Sequence, residues 1–232
     1  MPAWKKAKNP LVASTKYLDA MAKFKNSLVV IDTRDQSSVE AGHIEGAVAI
    51  GADKLPSMKD AFPAKKDAPI IIVAPDYQAG LASFDIIRGW GYKNTSVLKG
   101  GFSAAEKAGL AIAKGAAATE IVYVPKPIPG AMSAAAFTEI LAKNDADTMI
   151  IDVRTEDEAE GGMIAGAVNI PTDEIGDSLA DIPKDKKIIT YCSTGIRAEM
   201  AYLTLKENGY KVNFLKADTE FGEDGTFKVT AN

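Results

Sequence analysis

Apolar, β-branched runs and helical stripes alternate along this chain. The run Lys187-Ile188-Ile189-Thr190-Tyr191 reads as a buried strand. A short loop with one glycine follows, Cys192-Ser193-Thr194-Gly195. Ala198, Ala201, Tyr202 and Leu205 then recur at helical spacing. The same succession occurs twice. A helix precedes a buried strand ending in Asp-x-Arg, and a charged turn or helix leads to Gly-x-Ile-x-Gly-Ala-Val, a short apolar strand. Another strand, a loop and a helix come next, then Gly-Tyr-Lys and a last strand. Short strands alternating with helices predict a mostly parallel sheet covered on both faces, hence an α/β fold.

The two successions are copies of one another. At a shift of 120 residues, ten identical pairs fall within 22 ungapped positions, from Ile31/Ile151, Asp32/Asp152 and Arg34/Arg154 to Ile50/Ile170. At a shift of 118, Ile71 matches Ile189, and Gly91-Tyr92-Lys93 matches Gly209-Tyr210-Lys211. A repeat this long is a domain duplication rather than a solenoid unit. The expected organisation is a first domain over 1–115, a linker over 116–131 and a second domain over 132–232. The linker is marked by small residues, prolines and Gly130. Within it, Ile121–Val124 is expected to run extended over one domain.

Composition narrows the chemistry. The net charge is −4, so there is no basic footprint for nucleic acid. One cysteine and one histidine exclude an internal disulfide, an internal resolving thiol and the usual His/Cys zinc sites. No run of 18 apolar residues exists, so no membrane span is expected. No secretory signal is visible at the start. Cytoplasmic residence is therefore the default expectation, and periplasmic residence follows if a signal has been removed. No cofactor is called for.

Cys192 lies between the carboxyl end of a strand and the amino end of a helix. Free N–H groups and the positive end of the helix dipole favour an anion there, and a thiolate is such an anion. Gly195 permits a tight loop, Ser193 and Thr194 add hydroxyl donors, and Ile196 opens the helix. Arg197 carries a planar fork that can bind an oxyanion or brace the loop against a carboxylate. Asp152 and Arg154 recur in both copies, including the copy without a cysteine, so a supporting role in the scaffold fits them better than substrate contact. His43 is expected to be a hydrogen-bonded structural residue, and Tyr191 to pack in the sheet and reach the pocket edge.

Ile151-Asp152-Val153-Arg154, Gly166-Ala167-Val168-Asn169-Ile170-Pro171 and Cys192-Ser193-Thr194-Gly195-Ile196-Arg197-Ala198 together resemble the rhodanese-like sulfurtransferases in tandem arrangement. In the first copy the resemblance rests on Ile31-Asp32-Thr33-Arg34, on Gly42 to Val48 and on Gly100-Gly101-Phe102. It implies a five-stranded parallel sheet flanked by helices in each domain. It also implies a loop cradling a Cys192 persulfide, made by taking a sulfane sulfur from thiosulfate or a related small anionic donor. The acceptor implied is external: cyanide, a thiol or a thioredoxin-like protein.

The first copy departs from the family pattern. Cys192 falls on Ala74 and Arg197 on Ala79, and Pro75 removes one N–H from any cradle. That copy is expected to be inactive. In the second copy Met163 stands where the first has His43, and Ala217-Asp218 replaces Gly-Gly, which alters the far rim of the pocket. Four residues separate Cys192 from Arg197. Cysteine phosphatases and their relatives on this fold use a loop one residue longer, which resembles Cys-x-x-x-x-x-Arg, so the shorter cradle fits a single sulfur atom better than a tetrahedral phosphate, and arsenate reductase or phosphatase chemistry is the weaker alternative. A non-catalytic anion-binding, partner-binding or persulfide-sensing module is the rival from a different class.

Overall fold

The computed structural model describes residues 11–23, 27–222 and 226–231. The chain divides into two compact units, one spanning 8–126 and the other containing 127–232. Each is built on one five-stranded, all-parallel sheet.

The first unit runs β1 (Leu11–Ala13), α1 (Thr15–Lys23), β2 (Val29–Asp32), α2 (Gln36–Ala41), β3 (His43–Ile44), β4 (Val48–Ala49), β5 (Ile70–Val73), α3 (Tyr77–Gly89), β6 (Thr95–Leu98), α4 (Gly101–Lys107) and β7 (Ile112–Ala113). Its sheet order is β1-β6-β5-β2-β4. The central strand β5 is buried along its whole length, as four consecutive β-branched residues require. In register, Ile31 faces Ile72 and Val48, and Asp32 faces Val73 and Ala49.

The second unit runs β8 (Ala131–Met132), α5 (Ala134–Lys143), β9 (Thr148–Asp152), α6 (Glu156–Glu160), β10 (Val168–Asn169), β11 (Lys187–Tyr191), α7 (Ile196–Glu207), β12 (Lys211–Leu215), β13 (Asp218–Phe221) and β14 (Phe227–Thr230). Read from the matching edge, its order is β8-β12-β11-β9-β10, the same path as in the first unit. Ile151 faces Thr190 and Val168, and Asp152 faces Tyr191 and Asn169. The duplication read from the sequence is therefore a duplication of topology and of register. The α/β class and the five parallel strands per copy agree with the sequence reading.

Residues after the first domain stay with it. Ala118 bridges Val48, its carbonyl accepts from the Ala49 N–H at 2.7 Å, and Ile121 and Tyr123 pack against the first core. The run Ile121–Val124 thus lies against the first core but forms no strand there; the β-bridge falls earlier, at Ala118.

The copies part after their last parallel strand. In the first unit the chain turns into α4. In the second it forms the antiparallel hairpin β13–β14, in which Phe221 faces Phe227. An aromatic ring nonetheless meets the Asp-x-Arg arginine in both. Phe102 lies 3.6 Å from the Arg34 guanidinium carbon, and Phe221 lies 4.0 Å from that of Arg154. Among the described residues no helix is long and apolar enough to cross a membrane.

Candidate active site

The strand β11 delivers Cys192 to the carboxyl edge of the second sheet, and α7 starts four residues later. A crevice at the carboxyl ends of parallel strands is where α/β sheets place ligands. The Cys192 side chain is buried, at 1% exposure. The Gly195 N–H donates to its Sγ at 3.2 Å. Gly195 has φ +92°, in the left-handed region, and a Cβ there would sit 3.1 Å from the Leu215 carbonyl oxygen. Only glycine fits that turn without strain. The N-cap of α7 is Gly195, which has no side chain of its own to cap the helix, and a helix start of this kind favours an anion.

The corresponding helix end in the first unit is filled. Asp76 caps α3, and its carboxylate accepts from the Ala79 N–H at 2.9 Å. Ala74 stands at the nucleophile position and Pro75 contributes no N–H. One copy places a sulfur at a helix start whose N-cap is glycine, whereas the other satisfies the corresponding terminus with its own N-cap carboxylate.

Arg197 is engaged with Glu158. Its Nη1 donates to Oε2 at 2.5 Å and its Nη2 to Oε1 at 2.9 Å. Nη2 also lies 3.3 Å from Ser193 Oγ, whose hydroxyl in turn reaches Glu158 Oε1 at 3.4 Å. Arg197 thus forms a brace with Glu158, and it also neighbours Cys192, which acts on its charge. The Ser193 hydroxyl joins this brace rather than the sulfur. Thr194, at the rim, is half-buried, and Ile196 is buried behind the loop.

Glu158 escaped the sequence reading. A signal was present, because Thr155-x-x-Glu158 is a capping box and both of its reciprocal bonds form at the start of α6. Burial raises the Glu158 carboxyl pKa. The Arg197 hydrogen bonds and charge, with the Thr155 N–H and hydroxyl, outweigh burial and bring it down to about 2. Burial opposes the Arg197 charge, but the Glu158 bonds and the neighbouring Cys192 and Glu158 raise its pKa above the ordinary value.

Asp152 and Arg154 brace the scaffold beneath the loop. Arg154 Nε and Nη2 fork onto the Asp152 carboxylate at 3.0 and 2.6 Å, and Nη2 also donates to the Gly162 carbonyl at 2.6 Å. Arg34, Asp32 and the Gly42 carbonyl repeat this in the first unit, at 2.9, 2.7 and 2.6 Å. Tyr191 is fully buried rather than at the pocket edge. Its hydroxyl donates to Asp152 Oδ2 at 2.7 Å and accepts from the Ile164 N–H at 3.1 Å. Burial, and then the Asp152 charge, raise its pKa, so it stays a donor. His43 is buried, with Nδ1 3.0 Å from the Val39 carbonyl oxygen, as a structural histidine should be.

Comparison with known proteins sets this geometry in context. The pattern of the rhodanese-like domain matches residues 14–108 and again 133–219. A sulfurtransferase of Allochromatium vinosum is 36% identical over 76 residues, which are 32% of this chain and 71% of that protein. The tRNA uridine(34) hydroxylase of Escherichia coli is 38% identical over 73 residues, 29% of this chain and only 21% of that protein. Among solved structures, the 3-mercaptopyruvate sulfotransferase SseA of Escherichia coli aligns over 89% of this chain and 98% of its own, at 21% identity and a TM-score of 0.41. With both halves of the chain matched by one domain pattern, this protein belongs to the rhodanese-like family and carries its domain twice.

Proposed function

We propose that this chain is a sulfurtransferase whose second domain does the chemistry and whose first domain is catalytically inactive. In the cycle, the Cys192 thiolate attacks the outer sulfur of thiosulfate or a similar sulfane donor. A bond forms from Sγ to that sulfur, the donor's sulfur–sulfur bond breaks, and sulfite leaves with the electron pair. The resulting persulfide is an anion. It is stabilised by main-chain N–H groups of residues 193–197 at the start of α7, without a proton partner. An external nucleophile then attacks the terminal sulfur and expels the Cys192 thiolate. Cyanide gives thiocyanate, and a thiol, free or on a thioredoxin-like protein, gives a new persulfide. The acceptor has to be external because the chain holds no second cysteine.

The observation that carries this reading is the 3.2 Å bond from the Gly195 N–H to Sγ at a helix start whose N-cap is this same glycine. The Asp76 cap at the equivalent place in the first unit supports its inactivity. Thiosulfate and cyanide supplied to the intact protein should yield thiocyanate, and Cys192→Ser should yield none. Equal turnover by the two proteins refutes the assignment.

One observation favours a second reading. Cys192 is only 1% exposed, which restricts the approach of an acceptor and so favours a loop that binds without turning over. Loading with sulfur but no turnover with any acceptor would select that reading.

A further inference from the structure

A single residue outside the Cys192 loop holds two of its carbonyls. Thr219, in β13, donates its hydroxyl to the Cys192 carbonyl and its main-chain N–H to the Ser193 carbonyl, the latter at 2.9 Å. It is 5% exposed, so water does not compete for these bonds.

The consequence follows from the peptide group. It is planar and trans, so its C=O and N–H point in opposite directions. Holding the Cys192 carbonyl toward β13 turns the Ser193 N–H away from β13. Holding the Ser193 carbonyl does the same for the Thr194 N–H. Thr219 therefore sets the direction of two amides in the loop whose third amide, on Gly195, meets the sulfur.

The first unit shows what this bond replaces. There the Ala74 carbonyl accepts from the main-chain N–H of Phe102 at 3.0 Å. That approach needs Gly101 at φ +60°, where a Cβ would lie 2.5 Å from the carbonyl oxygens of Ala74 and Pro75. The second unit has no glycine pair at this point and turns into β13 instead of a helix. A side-chain hydroxyl takes over the work of a main-chain amide. The amide on the far side of the held peptide exists only in the second unit, since Pro75 has no N–H. The altered rim read from Ala217-Asp218 is thus made good one residue later.

Building on the sulfur-transfer reading, we propose that Thr219 is a positioning residue for the persulfide. Its hydroxyl keeps the Ser193 amide aimed to the inside of the loop. Once a sulfur is added, the terminal atom lies about 2 Å beyond Sγ and needs donors that the Gly195 amide alone does not supply.

The test compares wild type, Thr219→Val and Thr219→Ser. Thr219→Ala, which deletes the same hydroxyl, replaces the valine variant if that one does not fold. Each protein is mixed with thiosulfate. The loading rate and the lifetime of the added sulfur are followed by intact mass, and the melting temperature is taken alongside. In the folded valine or alanine protein, loading should slow about tenfold and the persulfide should decay faster, with the donor concentration for half-maximal rate unchanged. The serine variant should stay within about twofold of wild type, as a retained hydrogen bond requires. A residue that serves only the fold would lower the melting temperature and leave rate and lifetime alone. Loading by the valine or alanine protein at the wild-type rate overturns the role of Thr219 and leaves sulfur transfer standing. Failure of the wild type itself to load overturns both.

Discussion

Arg197 and Glu158 meet fork to fork, with Nη1 2.5 Å from Oε2 and Nη2 2.9 Å from Oε1, across 39 residues of sequence. The pair ties the first turn of α7 to α6, so the loop between β11 and α7 is held at both ends.

This pair makes stability depend on acid. The Glu158 carboxyl, at about 2 in the fold against an ordinary 4.5, is held down by its partners. A depressed carboxyl contributes stability that is fully present above its unfolded value and is lost as pH falls through the folded one. The loss attributable to Glu158 should therefore run from about pH 4.5 down to about 2. Glu158→Gln should cost about 1–3 kcal/mol near neutral pH, because it leaves the Arg197 charge half-buried without its partner. It should also flatten that stretch of the acid profile. Urea unfolding at a series of pH values measures both effects, and an unchanged profile contradicts the account.

The Asp-x-Arg pairs should behave alike in stability and differently in activity. In each, the carboxylate is fully buried and the arginine nearly so. Removing one partner strands a buried charge, so Arg34→Ala and Arg154→Ala should each destabilise their own domain by about 3–5 kcal/mol. Protein that remains folded after Arg34→Ala should keep its sulfur-transfer rate. Denaturation followed by circular dichroism, with turnover measured below the transition, separates the two effects.

Giving the first domain a thiol should not make it active. Ala74→Cys, placed in a Cys192→Ser background, would put a sulfur beside Pro75 and an α3 terminus already filled by Asp76. Without converging amides, loading with thiosulfate should fall below about a hundredth of the wild-type rate. Intact mass reads the result directly, and loading near the wild-type rate would show that the cradle is not what activates the sulfur.

Much of this was legible in the sequence because the chain states it twice. Ile31-Asp32 and Ile151-Asp152, each followed by an arginine two residues after the aspartate, mark the same strand end in two sheets of one topology. The strand–loop–helix around Cys192 was legible for a local reason, since a β-branched run, a glycine and a helical stripe follow within a few residues. Contacts between distant segments were not legible. The capping box of Glu158 shows in the sequence, but its grip on Arg197 does not. The Tyr191 hydroxyl reaches Asp152 over the same span of 39 residues. The hairpin β13–β14 left no trace either, because the first copy has a helix there and offers no template. Thr219 earns its place only through the two carbonyls that the fold brings to it.

The most direct measurement is the intact mass of the protein after exposure to thiosulfate and removal of the excess. Wild type should carry one added sulfur, lost again on addition of cyanide, and Cys192→Ser should carry none. An unmodified wild type, or an adduct that survives the Cys192→Ser substitution, would contradict a sulfur carried at the start of α7.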